Sequence, residues 1–185
     1  ALTCDISDEE LGENGIYKKE RAQEIINGIA NDNVEDLSFR NAYKLISSGQ
    51  EEKGLEEIKK FLAKNPKVWK AWFILGWGLR KICHWEQAEQ AFLQALDCGG
   101  NQNADCHNEL ALCLMELGNL KDAKKNLLKA LEISPEDIKI ISNLGYLSLK
   151  EGNVEEAKKF FRTVLVYDPK DTIAGKELEK LERKS

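Results

Sequence analysis

The side chains of this chain with the widest chemical repertoire are two histidines and five cysteines. Cys106 and His107 are adjacent and are flanked by Cys98 and Cys113, so a zinc site of thiolates and imidazole is one interpretation. However, the sequence has no Cys-x-x-Cys pair, and His84 stands alone in a predicted turn. The spacing therefore argues against a metal site, and we expect none.

Other catalytic patterns are equally weak. No Ser/His/Asp or Cys/His set converges on one predicted helix face. The stretch Gly76-Trp77-Gly78 falls within a predicted helix and lacks the strand–loop–helix setting of a phosphate-binding loop. We therefore expect no catalytic residue, no cofactor and no enzymatic activity.

The composition favours an all-α fold. Of the 185 residues, 42% are hydrophobic and 32% are charged, and only three are proline. The abundant Glu, Lys, Leu and Ala lose little side-chain freedom in a helix. The net charge of −5 offers no general basis for binding phosphates, so nucleic acid is not an expected partner.

Targeting signals are also missing from the sequence. No apolar run approaches the ~18 residues of a membrane span, and no basic-then-apolar signal segment opens the chain. An odd number of cysteines without a regular framework argues for free thiols in a reducing compartment. We therefore predict a cytoplasmic protein without a membrane partner. Because Met115 is the only methionine, we expect a fragment, a processed form or a trimmed chain.

A repeat of 34 to 35 residues is the strongest pattern in the sequence. A weaker copy runs from about residue 35 to residue 68, and the extra residue of the longer spacing falls in the turn-like stretch 98–103. Five sets of similar residues recur at spacings of 35 and then 34: Leu75, Leu110 and Leu144; Gly76, Ala111 and Gly145; Ala88, Ala123 and Ala157; Phe92, Leu127 and Phe161; and Ala95, Ala130 and Val164.

This pattern resembles the tetratricopeptide repeat (TPR) family, whose unit of about 34 residues is a pair of helices. The fourth copy carries much of the family signature: Leu144, Gly145, Gly152, Ala157, Phe161 and Pro169. The first copy departs most, because Asn41 and Gly54 stand where Leu and Ala are usual. The resemblance implies an all-α, right-handed α-α superhelix of four helical hairpins.

The resemblance also organises the chain into segments. Repeats are expected at 35–68, 69–103, 104–137 and 138–171, with a capping helix at 172–185 whose Ile173, Leu178 and Leu181 face inward. Before them we predict a mobile acidic segment at 1–15 and an N-terminal helix within 16–34. Turn glycines are expected at Gly49, Gly118 and Gly152; in the second repeat the turn is placed at Cys83 or at His84.

In the family, the first helix of each hairpin lines a concave groove that binds peptides or proteins. The positions of this sequence that match the groove are Phe39, Arg40, Tyr43, Lys70, Phe73, Trp77, Arg80, Asn108, Glu109, Leu112, Asn143 and Tyr146.

Aromatic side chains gather in the N-terminal half of this predicted groove, where exposed aromatics are typical binding anchors. The other interpretation is that they pack against the N-terminal helix or against one another. Charges divide as well: Arg40, Lys70, Arg80 and Lys81 precede an acidic set of Asp105, Glu109, Glu116, Glu136 and Asp137. A ligand with an apolar body and an acidic end toward the first two repeats would complement this layout.

The resemblance therefore implies an adaptor or scaffold that binds a peptide or partner helix, with Phe73 and Trp77 as anchors. Co-chaperone members of the family clamp a C-terminal carboxylate, but of the matching positions here only Lys139 agrees, which argues against that mode. The alternative is a self-association or regulatory domain of a larger protein. We expect a monomer or a weak homo-oligomer.

Overall fold

The computed structural model describes residues 37–183, and all structural statements below refer to that range. The acidic segment predicted at 1–15 and the helix predicted within 16–34 lie outside the described residues. The described chain contains nine α-helices, one short 3-10 helix and no β-strand. The helices are α1 (Leu37–Ser47), α2 (Glu51–Lys64), α3 (Trp69–Lys81), α4 (Trp85–Asp97), α5 (Ala104–Glu116), α6 (Leu120–Ile133), α7 (Ile138–Lys150), α8 (Val154–Tyr167) and α9 (Thr172–Arg183).

Consecutive helices pair into four hairpins, α1/α2, α3/α4, α5/α6 and α7/α8, and α9 packs on α8. Each substantial contact between described helices joins helices that are at most two apart along the chain. One cluster of buried side chains runs from the first hairpin to α7, and a second cluster joins α7, α8 and α9. The partly buried Leu131, Tyr146 and Phe160 pack against both clusters, so each hairpin buries its apolar face against its neighbours.

The turn inside each hairpin contains one residue in the left-handed region. Gly49, Gly118 and Gly152 have φ of 83°, 79° and 81°, which a residue without Cβ adopts readily. In the second hairpin this conformation falls on Cys83, with φ of 58°, while His84 follows with φ of −85°. The structure thus selects the first of the two turn positions left open by the sequence.

Small residues at the repeat positions allow the two helices of a hairpin to approach closely. A Cβ on Gly76 would lie 2.8 Å from the Phe92 ring, and one on Gly145 would lie 2.9 Å from the Phe161 ring. Gly54 replaces the usual Ala of the first repeat for the same reason, because a Cβ there would lie 2.7 Å from the carbonyl oxygen of Ala42. At this position the two helices of the first hairpin therefore pack more closely than those of the other three hairpins, which carry alanine there.

Proline marks the end of three hairpins. Pro66, Pro135 and Pro169 each stand two residues after the last residue of α2, α6 and α8, and proline cannot supply the N–H that a continuing helix needs. The second hairpin ends differently. Gly99 has φ of 113° and is followed by the 3-10 helix Gly100–Gln102, which accommodates the inserted residue.

Helix α9 closes the described end of the stack. Its Ala174 is fully buried, whereas Ile173, Leu178 and Leu181 are half-buried. The Asp171 carboxylate accepts a 2.7 Å hydrogen bond from the backbone N–H of Ala174, which satisfies a donor in the first turn of the helix. None of the described helices has the length and apolar character needed to cross a membrane.

Candidate functional site

Helices α1, α3, α5 and α7, the first of each hairpin, lie side by side and contact one another in order. One position of the repeat recurs along them at spacings of 34, 35 and 34 residues and is large in every copy: it holds Tyr43, Trp77, Leu112 and Tyr146. We call this set the groove row. It gives the face formed by the first helices a strip of large side chains, one from each helix.

The predicted aromatic anchors of the groove pack against other aromatic rings of the chain. Tyr43 stacks on Trp77 with ring centroids 5.3 Å apart and planes 25° apart. Phe73 meets Phe92 of α4 edge to face at 5.6 Å. Phe73 and Trp77 are only 4% and 5% exposed, as the interpretation of mutual packing requires. Phe39 belongs to α1, and the role of these aromatics as ligand anchors stays a prediction.

Lys81 of α3 links the second hairpin to the turn between the two helices of the first hairpin. Its Nζ donates to the Ile46 carbonyl at 2.8 Å, lies 2.8 Å from the Glu51 carboxylate, and sits 5.5 Å from the centre of the Trp77 ring. Burial alone raises the pKa of Glu51, but the hydrogen bond and charge of Lys81 outweigh it and hold that pKa below its usual range. Lys81 is thus engaged by protein groups on three sides.

An ion pair joins the predicted basic and acidic halves of the groove. Arg80 Nε of α3 lies 2.8 Å from Glu109 Oε2 of α5, and the side chains are only 9% and 12% exposed. The two atoms face each other without the alignment of a hydrogen bond. Just beyond them, Asn143 Nδ2 of α7 donates to Asn108 Oδ1 of α5 at 2.8 Å. Polar contacts therefore link α3, α5 and α7.

The remaining predicted groove residues are more open. Arg40 is exposed, and Lys70, Leu112, Asn143 and Tyr146 are half-buried. In the edge-to-face contact of Tyr146 with Phe161, the ring centroids are 5.3 Å apart. The groove is thus closed around its second repeat and more accessible toward its third and fourth repeats.

A tetratricopeptide repeat family model matches residues 114–180, which span part of the third repeat, the whole fourth repeat and most of the capping helix. Residues 114–180 belong to the TPR family. The all-helical hairpin stack of the chain is the right-handed TPR solenoid predicted from the sequence.

Individual relatives agree on the fold. YrrB, described as a TPR protein with an unusual peptide-binding site, superposes with a TM-score of 0.67 at 23% identity, over 90% of this chain and 84% of YrrB. The first TPR domain of Spaghetti, bound to an HSP90 peptide, superposes with a TM-score of 0.59 at 20% identity, over 63% of this chain and 92% of that domain.

One relative by sequence belongs to a much longer protein. A protein O-mannosyl-transferase of Caenorhabditis elegans is 29% identical over 89 residues. The match covers 48% of this TPR chain and 13% of the transferase.

His107 forms a polar junction in this TPR chain that the sequence did not reveal. Its Nδ1 lies 3.0 Å from Asn126 Oδ1 of α6, and its Nε2 lies 3.1 Å from the carbonyl oxygen of Asn101 in the 3-10 helix. Asn126 in turn donates to the Asp122 carbonyl at 3.0 Å, which fixes the orientation of its amide. His107 therefore ties the inserted turn to both helices of the third hairpin.

A second concavity lies away from the groove row, between α2 and α4. Its volume is about 520 Å³. The floor is formed by Trp72, Leu75 and Leu79 of α3, and three glutamines of α4 (Gln87, Gln90 and Gln94) stand along one side. The repeat pattern did not predict this cleft, because the residues that form its floor occupy positions that the pattern assigns to core packing.

The cysteines fall into two groups. Cys98, Cys106 and Cys113 are free thiols, and burial raises the pKa of Cys113 to about 12 and that of Cys106 further still. Cys83 is disulfide-bonded. The expectation that all cysteines are free thiols is therefore wrong at Cys83. It rested on the odd number of cysteines, which does not exclude a disulfide between two of them.

Proposed function

We propose that this TPR chain is an adaptor that binds a peptide or a partner helix along its groove row. The supporting observation is the recurrence of a large side chain at the same groove position in all four repeats. A strip with that period matches an elongated ligand, which can contact each hairpin in turn. Two structural neighbours support this mode: the Spaghetti domain is bound to an HSP90 peptide, and YrrB has an unusual peptide-binding site.

The accessible part of the strip defines where the ligand would sit. Leu112 and Tyr146 are half-buried, as is Asn143, which lies one helical turn before Tyr146 on α7. Apolar side chains with an adjacent amide suit a ligand that buries aliphatic groups while donating and accepting hydrogen bonds. Ligand recognition therefore centres on the third and fourth repeats, rather than on the two aromatic anchors Phe73 and Trp77 alone.

A C-terminal carboxylate is a poor ligand for this surface. The third repeat presents Asp105 and Glu109 where carboxylate-binding members of the family carry cations, and Glu109 is already paired with Arg80. A second anion placed there meets like charge at short range, which disfavours binding. We therefore propose recognition of internal peptide or helix side chains, with no catalytic step and no cofactor.

The test begins with affinity purification on the full chain, followed by mass spectrometry to identify bound proteins. The captured partner is then titrated against the wild type, Leu112→Asn in the groove row, and Leu128→Asn as a matched control. Leu128 is 45% exposed on α6, the second helix of the same hairpin. Leu112→Asn is expected to weaken binding at least about tenfold, equivalent to about 1.4 kcal/mol.

The control separates the groove from the rest of the surface. Leu128→Asn is expected to leave affinity unchanged, and circular dichroism establishes that both variants fold. Equal losses in the two variants, or no loss in either, would contradict the groove assignment. Phe73→Ala and Trp77→Ala are less suitable, because both side chains are buried and their removal also loosens the second hairpin.

A further inference from the structure

We propose that the cleft between α2 and α4 is a second binding site, which holds an extended peptide with two apolar side chains and one carboxylate. Its volume of about 520 Å³ falls within the roughly 300–1,000 Å³ of typical ligand sites. The cleft is lined by the second helices of the first two hairpins, whereas the groove row belongs to the first helices. The site therefore goes beyond the groove ligand, because both can be occupied together.

A small residue on α4 leaves the cleft open. Ala91 lines it, and the same repeat position carries Asn126 in the third repeat and Phe160 in the fourth. Asn126 is bound to His107, and Phe160 packs against both clusters of buried side chains. These larger residues occupy the space beside the later hairpins that Ala91 leaves empty. The repeat sequence thus explains why the cleft forms between the first and second hairpins.

The wall of the cleft on α4 offers hydrogen-bonding groups at short intervals. Gln87, Gln90 and Gln94 share one helix face at i, i+3 and i+7, and their side-chain amides bond to no described residue. From the first to the last of them the helix rises by roughly 10.5 Å, which equals about three residues of an extended chain. Each amide both donates and accepts hydrogen bonds, as a peptide backbone requires. The wall therefore suits the edge of an extended peptide.

The floor of the cleft selects apolar side chains. It is formed by Trp72, Leu75 and Leu79 of α3. The Trp72 indole N–H already donates to the Pro66 carbonyl at 2.8 Å, so the one polar group of the floor side chains is satisfied within the chain. Because alternate side chains of an extended peptide point to the same side, residues i and i+2 of the ligand face this floor. Two apolar residues at that spacing therefore anchor the peptide.

The charge of the cleft calls for an acidic ligand. Among the described residues that line it, Lys59 of α2 is basic and none is acidic. The acidic residues of α4, which are Glu86, Glu89 and Asp97, do not belong to the lining. No described residue pairs with the ammonium group of Lys59. A carboxylate on the peptide therefore meets a cation that the described chain leaves without a counter-charge.

NMR of the tryptophan indole N–H groups in the full chain tests the site, because Trp72 belongs to its floor. The probes are two synthetic peptides, acetyl-Asp-Leu-Ser-Leu-Asp-amide and the same peptide with asparagine in place of both aspartates. A carboxylate stands at each end so that either chain direction brings one of them to Lys59. The acidic peptide is expected to shift the Trp72 signal, which Trp72→Phe identifies. The asparagine peptide is expected to bind about threefold more weakly.

Two variants change the cleft itself. Ala91→Phe gives the second repeat the residue that the fourth repeat carries, and it is expected to abolish the response to both peptides. Lys59→Gln is expected to lower the affinity for the acidic peptide about threefold and to leave the asparagine peptide unaffected. Lys60→Gln is the matched control, because Lys60 lies 2.6 Å from Glu56 and is not among the described residues that line the cleft. Circular dichroism establishes that each variant folds.

Three results would overturn the proposal. The first is a Trp72 signal that neither peptide shifts at millimolar concentration. The second is equal affinity of the wild type for the two peptides, or a preference for the acidic peptide that survives in Lys59→Gln. The third is a Trp72 signal that moves with protein concentration when no peptide is present, which would assign the cleft to a second copy of the chain.

Leu112→Asn separates this site from the groove row. Leu112 lies on α5 and is not among the described residues that line the cleft, so this change is expected to leave the affinity for both peptides unaltered. A loss of peptide binding in Leu112→Asn would place the peptide in the groove and overturn the second site. A partner that depends on Leu112 but binds equally to wild type and Ala91→Phe tests the groove alone, so the two proposals fail separately.

Discussion

Arg80 and Glu109 form a nearly buried ion pair in which Nε and Oε2 lie 2.8 Å apart, one on α3 and the other on α5. The pair joins two hairpins at the point where the basic and acidic halves of the groove meet. Because neither charge is well solvated, each depends on the other for its compensation. The coupling of the second and third repeats is therefore sensitive to the loss of either partner.

Arg80→Met is expected to lower the free energy of unfolding by roughly 3 kcal/mol, because it leaves the Glu109 carboxylate buried without a counter-charge. Arg80→Met combined with Glu109→Leu is expected to recover most of that loss. Lys150→Met is the matched control: Lys150 and Glu116 lie 3.0 Å apart on the same groove edge but are 43% and 45% exposed. Its expected effect is below about 1 kcal/mol in urea denaturation. Equal effects of the two single changes would contradict the difference in burial.

Two glycines in helices give opposite predictions for the same substitution. Gly76→Ala brings a Cβ to 2.8 Å from the Phe92 ring, so it is expected to destabilise the chain by about 1–3 kcal/mol. Gly175→Ala in α9 meets nothing within 4 Å and is expected to stabilise by about 0.5–1 kcal/mol through helix propensity. Thermal unfolding measured by circular dichroism shows whether each substitution raises or lowers the stability of the chain. A gain from Gly76→Ala would show that Phe92 moves aside freely.

The helix contacts that depend on pairing a small residue with a large one inside a hairpin were predictable from the sequence. Gly76 and Phe92 sit sixteen residues apart in one hairpin, and Gly145 and Phe161 repeat the arrangement, so the small-to-large pairing is visible as a period. The same period fixed the turn glycines. It works because each hairpin repeats nearly the same short-range contacts, independently of the partner that the solenoid binds.

The polar contacts of the groove were not predictable in the same way. Arg80 and Glu109 occupy different repeat positions, so their pairing depends on side-chain direction between hairpins. His107 bridges α6 and the inserted 3-10 turn, an irregular element with no counterpart in the other repeats. The burial of Trp77 was open for another reason: periodicity places a side chain on the groove face but does not determine which neighbouring side chains pack against it, here Tyr43 and Lys81.

The free thiols are expected to differ sharply in reactivity. Burial raises the pKa of Cys113 to about 12 and also raises that of Cys106, so neither supplies thiolate near pH 8. Cys98 is half-buried at a hairpin end and should be alkylated first by iodoacetamide, as followed by peptide mass spectrometry without reduction. Labelling in urea supplies the control in which all three react. Alkylation of Cys113 at the rate of Cys98 in the folded chain would contradict the burial of α5.

Acid is expected to weaken the contact between the first and second hairpins through Glu51. Its pKa is lowered in the folded chain, because the hydrogen bond and charge of Lys81 outweigh the effect of burial. A carboxyl whose folded pKa lies below its unfolded pKa stabilises the fold above the unfolded value, and this contribution is lost as pH falls through the folded value.

The variant that isolates this contribution is Glu51→Gln, compared with Glu52→Gln at the exposed neighbouring position. At pH 7 the wild type should be more stable than Glu51→Gln by less than about 1 kcal/mol, since the Lys81 and Glu51 side chains are 32% and 21% exposed. The difference should shrink between about pH 5 and pH 3 in urea denaturation. If the difference in stability between wild type and Glu51→Gln stays constant over that pH range, the effect of Glu51 comes from packing, because only its charge titrates.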